Sequence, residues 1–265
     1  MKRRYAIFFV SSLVVLLSVT TFVLTNFGKR DDTSTAPHYT FTLMNTYPHD
    51  SNAFTEGLVY DDGYLYESTG LYGSSTLRCV DLQTGNVLRE TPLPSQFFGE
   101  GIAVVNNTIV QLTWKSHVGF VYDKNSFALI SNFSYSTEGW GLTFDGEHLI
   151  MSNGSDVLSL YNPRSYLEIG QIKVHDGNSP VFDLNELEFI NGEVYANVWH
   201  SNEIVAINPG NGQVKFWINL SGLAGSAVYN SESVLNGIAY DSASNQLLVT
   251  GKNWPQIYEI KMLTK

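Results

Sequence analysis

Glu56-Gly57-Leu58, Glu100-Gly101-Ile102, Trp140-Gly141-Leu142 and Asn236-Gly237-Ile238 are four copies of one short pattern, and Asn185-Glu186-Leu187 fills the same slot without the glycine. The central positions are spaced 44, 40, 45 and 51 residues apart. A period of about 40–50 residues is that of propeller blades, each a sheet of four strands. Outward from each copy the chain follows one script. A first strand ends in a turn at Asp61-Asp62-Gly63, Asn106-Asn107, Asp145-Gly146, Asn191-Gly192 or Ser242 to Asn245. Asx-Gly pairs suit such turns because tight hairpins need positive φ. Second strands are expected at 64–69, 108–114, 149–153, 193–199 and 246–251. Third strands carry apolar endings such as Phe120-Val121-Tyr122 and Ile204-Val205-Ala206-Ile207. Repeats one to four add a fourth strand, whereas the fifth reaches Lys265 with three. Segment 38–47 precedes the first repeat and reads as a strand. It is expected to supply the missing outer strand and close the ring, which removes an open sheet edge. The expected fold is therefore all-β, a five-bladed β-propeller closed by an N-terminal strand.

Composition agrees with strands and turns. The chain has 265 residues, 43% hydrophobic, with 15 Tyr, 15 Phe and 22 Gly. Lys2, Arg3 and Arg4 precede an uncharged apolar run at 5–27. That run approaches the ~20 residues that cross a bilayer as a helix, so one transmembrane signal-anchor helix is expected, with cleavage as the alternative. Expected domains are 1–30, cytosolic tip and anchor; 31–37, a polar linker; and 38–265, the propeller. Localisation is then membrane-anchored and facing a non-cytosolic compartment, or secreted if the N-terminus is cleaved. Residues 1–37 hold five of the 15 basic and two of the 25 acidic residues, leaving 10 basic and 23 acidic residues, a formal net of −13. Such a domain repels nucleic acid and anionic lipid, so neither is an expected partner beyond the N-terminal segment. Cys79 is the sole cysteine, which excludes an intrachain disulfide and a thiolate metal site.

In each repeat the motif begins the innermost strand, and the end of the second strand is its antiparallel neighbour. Glu56 is thereby expected beside Thr69, Glu100 beside Trp114, Trp140 beside Asn153, Asn185 beside Trp199, and Asn236 beside Lys252. Carboxylates, tryptophans, amides and one lysine then converge at one mouth of the central channel, the usual make-up of a small-molecule site. A carboxylate among aromatic rings can serve as general base. Lysine and amide donors can stabilise an oxyanion. The same residues taken singly also fit blander roles, with carboxylates capping turns and tryptophans packing between blades. Glu56, Asn185 and Asn236 could instead hold a hard cation in a calcium-dependent lactonase-like propeller. Tryptophan platforms in a non-catalytic glycan- or peptide-binding propeller are a third option.

Phe54-Thr55-Glu56-Gly57-Leu58, Phe98-Gly99-Glu100-Gly101, Glu138-Gly139-Trp140-Gly141-Leu142, Leu184-Asn185-Glu186-Leu187-Glu188, Asn197-Val198-Trp199 and Leu235-Asn236-Gly237-Ile238-Ala239 through Gly251-Lys252-Asn253-Trp254-Pro255 together resemble the plant-type, papaya-like glutaminyl-peptide cyclotransferases. The resemblance implies conversion of N-terminal glutamine of peptides and proteins to pyroglutamate with release of ammonia, without a catalytic metal; no cofactor and a monomer are expected. A structural Ca2+ in the channel is compatible with it but not expected. Position by position, it implies that Glu100 deprotonates the α-amine and protonates the departing ammonia. Asn185 and Lys252 would bind the γ-carbonyl oxygen. Trp114, Trp140 and Trp199 would wall the pocket, with Phe54, Phe98 and Asn236 also on the substrate. Where the family typically reads Phe-Thr-Gln-Gly-Leu, this chain has Glu56, a second carboxylate that could grip the ammonium or raise the pKa of Glu100.

Overall fold

A computed structural model describes residues 35–225 and 231–263. The expected anchor at 1–30 lies outside them, and among the described residues no helix is long and apolar enough to cross a membrane. The described chain is all strand and turn. Strands Thr55–Asp61, Tyr64–Thr69, Thr76–Val80 and Val87–Pro92 form a four-stranded antiparallel sheet in chain order. Gly99–Val105 to Leu129–Ser134 form a second such sheet and Leu142–Phe144 to Glu168–Lys173 a third. Two further meanders, Leu184–Ile190 to Val214–Asn219 and Leu235–Asp241 to Gln256–Leu263, are joined in one eight-stranded sheet.

The joint is the strand His38–Pro48. It pairs antiparallel with the last strand, from Thr40 opposite Leu263 to Pro48 opposite Gln256, and so completes the fifth meander with a fourth strand. Its first residues also pair parallel with the fourth meander, His38 with Trp217 and Tyr39 with Ile218. Ala36 and Pro37, expected in the linker, are tied to the domain: Ala36 N–H donates to Asp176 Oδ1 at 2.6 Å, and Pro37 O accepts from Trp217 N–H at 2.9 Å.

The hairpin turns follow the sequence. Asp62, Asn106, Asn191 and Asn245 have φ between 50° and 57°, and Gly63, Gly146 and Gly192 lie at 87–97°. The side chains bury between meanders rather than within them. One cluster joins Leu77, Cys79 and Leu93 to Ile102, Ile109 and Phe120. Another joins the last repeat to the first through Ala239, Leu248 and Ile257 against Leu58, Leu65 and Val80. Every repeat therefore shares a core with the next, and the first strand of each meander packs on the first strand of its neighbours, the fifth on the first.

These innermost strands come very close. A Cβ on Gly57 would stand 2.7 Å from Ile102 N, and one on Gly141 only 2.0 Å from Asn185 O. Only glycine allows the approach. The fourth repeat breaks the pattern with Glu186, fully buried, whose Oε1 accepts Leu58 N–H at 3.1 Å and Oε2 accepts Ile238 N–H at 2.8 Å. One carboxylate so braces three repeats.

Candidate active site

The motif residues do not sit in plain strand register. Thr55 faces Thr69 and Gly57 faces Ser68, which leaves Glu56 as an extra residue in a β-bulge. The same one-residue excess occurs between Gly99 and Ile102, Leu184 and Leu187, and Leu235 and Ile238. The expected side-by-side pairs are thus shifted, because a bulge opposes two residues to one and re-aims the side chain. Thr69 lies opposite Thr55, one residue before Glu56, and Trp114, Trp199 and Lys252 lie opposite Phe98, Asp183 and Val234, two residues before the motif side chains. The bulges turn Glu56, Glu100 and Asn185 toward a shared space.

That space is a cavity of about 450 Å³ lined by Phe54, Glu56, Leu71, Phe98, Glu100, Trp114, Trp140, Asn185, Trp199, His200, Glu232 and Lys252. Nine of the ten residues singled out from sequence are there. The tenth, Asn236, is fully buried beneath it, donating from Nδ2 to Thr55 O at 2.9 Å and to Glu56 Oε2 at 3.1 Å. Thr69 and Asn153 turn elsewhere, to Thr76 and Ser155 respectively. Sequence reasoning missed Leu71, His200 and Glu232, which lie on loops past the second strands or ahead of the fifth motif. Leu71 and His200 have φ of 86° and 59°, rare for such residues and without a sequence signal.

Aromatic rings make the walls. Phe54 and Phe98 meet edge-on with ring centres 6.2 Å apart, Phe98 and Trp114 at 5.5 Å, and Trp140 and Trp199 edge-on at 5.4 Å. Glycines make room for two of them. A Cβ on Gly70 would meet Phe98 Cε1 at 2.4 Å, and one on Gly154 would meet Trp140 Cη2 at 2.7 Å.

The polar end is electrostatically tight. Lys252 Nζ donates to Glu56 Oε1 at 2.7 Å and lies 4.6 Å from the Phe54 ring centre. Both Glu56 oxygens are therefore taken by the protein, and burial nonetheless holds its carboxyl above the ordinary range, against the pull of Lys252. Glu100 is 5% exposed and makes no side-chain hydrogen bond among the described residues. Burial first, and the Glu56 charge second, hold its carboxyl well above the usual range, with Lys252 opposing. Asn185 Oδ1 is buried without a hydrogen-bond partner. A base with raised proton affinity, an ammonium and a free amide thus face one aromatic slot, which suits proton transfer coupled to carbonyl addition.

The glutamine cyclotransferase family matches residues 14–262. Over 225 residues the chain is 41% identical to the glutaminyl-peptide cyclotransferase of Arabidopsis thaliana, covering 83% of this chain and 70% of that relative. The crystal structure of Myxococcus xanthus glutaminyl cyclase matches with a TM-score of 0.81 at 34% identity, over 86% of this chain and 98% of that one. With these similarities beside the site's geometry, the chain belongs to the glutamine cyclotransferase family.

Proposed function

We propose that this protein is a glutaminyl-peptide cyclotransferase that closes N-terminal glutamine onto its own α-amine, yielding pyroglutamate and ammonia. The observation that carries it is the pairing of an unbonded, buried Glu100 with Lys252 and Asn185 inside the aromatic slot. The slot folds the glutamine side chain so that amine and γ-carbonyl meet, a proximity effect that can contribute several kcal/mol, on the order of 7–11 at best. Glu100 takes a proton as the amine nitrogen bonds to the carbonyl carbon. The carbonyl oxygen becomes an oxyanion facing Lys252 Nζ and the Asn185 amide. As the tetrahedral centre collapses, the bond to the side-chain nitrogen breaks, and Glu100 returns the proton so that neutral ammonia leaves.

The substrates are N-terminal Gln peptides and proteins, and no cofactor is needed. The alternative of a cation held by Glu56, Asn185 and Asn236 is disfavoured because both Glu56 oxygens are engaged, one of them by an ammonium. The five meanders, with neighbours packed in a cycle, support a five-bladed β-propeller. The basic tip and uncharged run at 5–27 support a signal anchor that leaves this domain outside the cytosol.

The test is ammonia release from a Gln-initiated dipeptide by the full chain, with and without EDTA. Turnover unaffected by chelator is expected. Absence of turnover by the folded protein would overturn the assignment.

Glu56 should set the pH dependence. Glu56→Gln removes a negative charge near Glu100 and leaves the Lys252 charge uncompensated, and both changes lower the pKa of Glu100. Activity needs Glu100 ionised, so the acid limb of kcat/KM should move to lower pH in the variant. An unmoved limb would show that Glu56 only anchors Lys252.

A further inference from the structure

Glu138 precedes the third motif and takes no step in the chemistry above, adding only a minor charge that helps hold the Glu100 carboxyl high, yet it touches two walls of the slot. Its Oε2 accepts a hydrogen bond from Trp114 Nε1 at 2.8 Å and another from Trp140 Nε1 at 3.1 Å. The two indoles come from different repeats, on the strand end after Thr108–Thr113 and just before Leu142–Phe144. The other carboxylate oxygen lies 3.8 Å from Lys115 Nζ, which sits 3.9 Å from the Trp114 ring centre. The main chain makes the same link, with Gly139 N–H donating to Trp114 O at 3.1 Å.

We propose that Glu138 is a positioning residue: a single carboxylate oxygen clamps the Trp114 and Trp140 indoles and thereby sets the width of the slot. The physical case is that an indole N–H facing a cavity has one donor and two χ angles to settle, and hydrogen bonds to an ionised acceptor are the strong ones. With its acceptor gone, each ring would be held by packing alone on a side open to the cavity. A slot that folds a flexible glutamine loses rate when its walls shift, and a displacement of about 1 Å can cost 10²-fold. Lys115 restrains Glu138 from the outside, where the carboxylate is 38% exposed.

The proposal rests on the cyclase assignment for its kinetic readout, but its structural readout does not. Glu138→Ala and Glu138→Gln would be compared with the parent chain in kcat, KM and near-ultraviolet circular dichroism of the tryptophans. Glu138→Ala should lower kcat/KM by roughly 10–10²-fold and weaken the tryptophan bands. Glu138→Gln keeps an acceptor oxygen, though a neutral one, and should restore much of both. Alanine without effect on either readout would overturn the clamp, as would a Gln variant as impaired as the Ala variant. If the parent shows no turnover, the dichroism comparison alone decides, so failure of the clamp and failure of the cyclase assignment remain distinguishable. Thermal melts of both variants identify any global unfolding, in which case the Gln variant carries the test.

Discussion

Glu100→Gln is expected to lower kcat by roughly 10²–10⁴-fold, the range that positioned proton transfer contributes, while leaving the protein folded. The substitution keeps size and shape but removes the carboxylate proposed to take and return the proton. The sign of the stability effect separates chemistry from unfolding. In the folded state burial and the Glu56 charge hold the Glu100 carboxyl well above its unfolded value. The native state therefore binds a proton more tightly than the unfolded one. Its stabilising contribution is complete below the unfolded carboxylate range and is lost as pH rises through the raised folded value. A neutral amide cannot suffer that loss. Glu100→Gln should match the parent in acid and exceed it in stability toward neutral and alkaline pH, as read by thermal melts at two pH values. A variant that is inactive because it is unfolded would contradict this, and one that retains turnover would remove Glu100 from the mechanism.

The second large effect concerns the brace. Glu186→Ala is expected to destabilise the fold by about 3–5 kcal/mol, since two buried main-chain N–H groups lose their acceptor at about 1–3 kcal/mol each and a void opens besides. For a domain of this size each kcal/mol moves Tm by roughly 2–4 °C, so a drop on the order of 10 °C should appear in a calorimetric scan. Glu186→Gln should fall between, because it retains one acceptor oxygen and points a donor at the other N–H. A melt unchanged by either substitution would mean that the N–H groups of Leu58 and Ile238 find other partners. Activity should fall with the Ala variant as well. Leu58 follows the Glu56 bulge by two residues and Ile238 follows Asn236 by two, so loosening either strand disturbs the Glu56–Lys252–Asn236 end of the site.

Much of the architecture was legible before any coordinates. The repeat, the Asx-Gly turns and the closing strand at 38–47 are written in local pattern, and Asn191-Gly192 with φ of 52° and 92° shows how directly. The cavity was legible too, because equivalent slots in successive repeats are expected to meet at one end of the sheets, and nine of the ten chosen side chains line one cavity. Asn236 is fully buried and does not line the cavity. Its slot is equivalent to that of Glu56, but its amide reaches across to the first repeat and donates to Thr55 O and Glu56 Oε2. The register differs from the expected one by one or two residues for a related reason: a bulge has no residue signature in Thr-Glu-Gly or Gly-Glu-Gly, and only the pairing of two strands reveals which residue is extra.

The sequence by itself determined the five repeats, the strand and turn positions, the closing strand and the identity of most cavity residues, because these follow from periodicity and turn preference within one repeat of about 40–50 residues. Tertiary structure alone decided how the charges are paired. Lys252 reaches Glu56 across 196 residues of sequence, Glu186 reaches Leu58 across 128, and Glu138 joins indoles from two repeats. Local preference cannot encode such contacts. They arise when the packing of neighbouring meanders forces polar groups from separate repeats into one buried space, where each must find a partner or meet the full cost of desolvation.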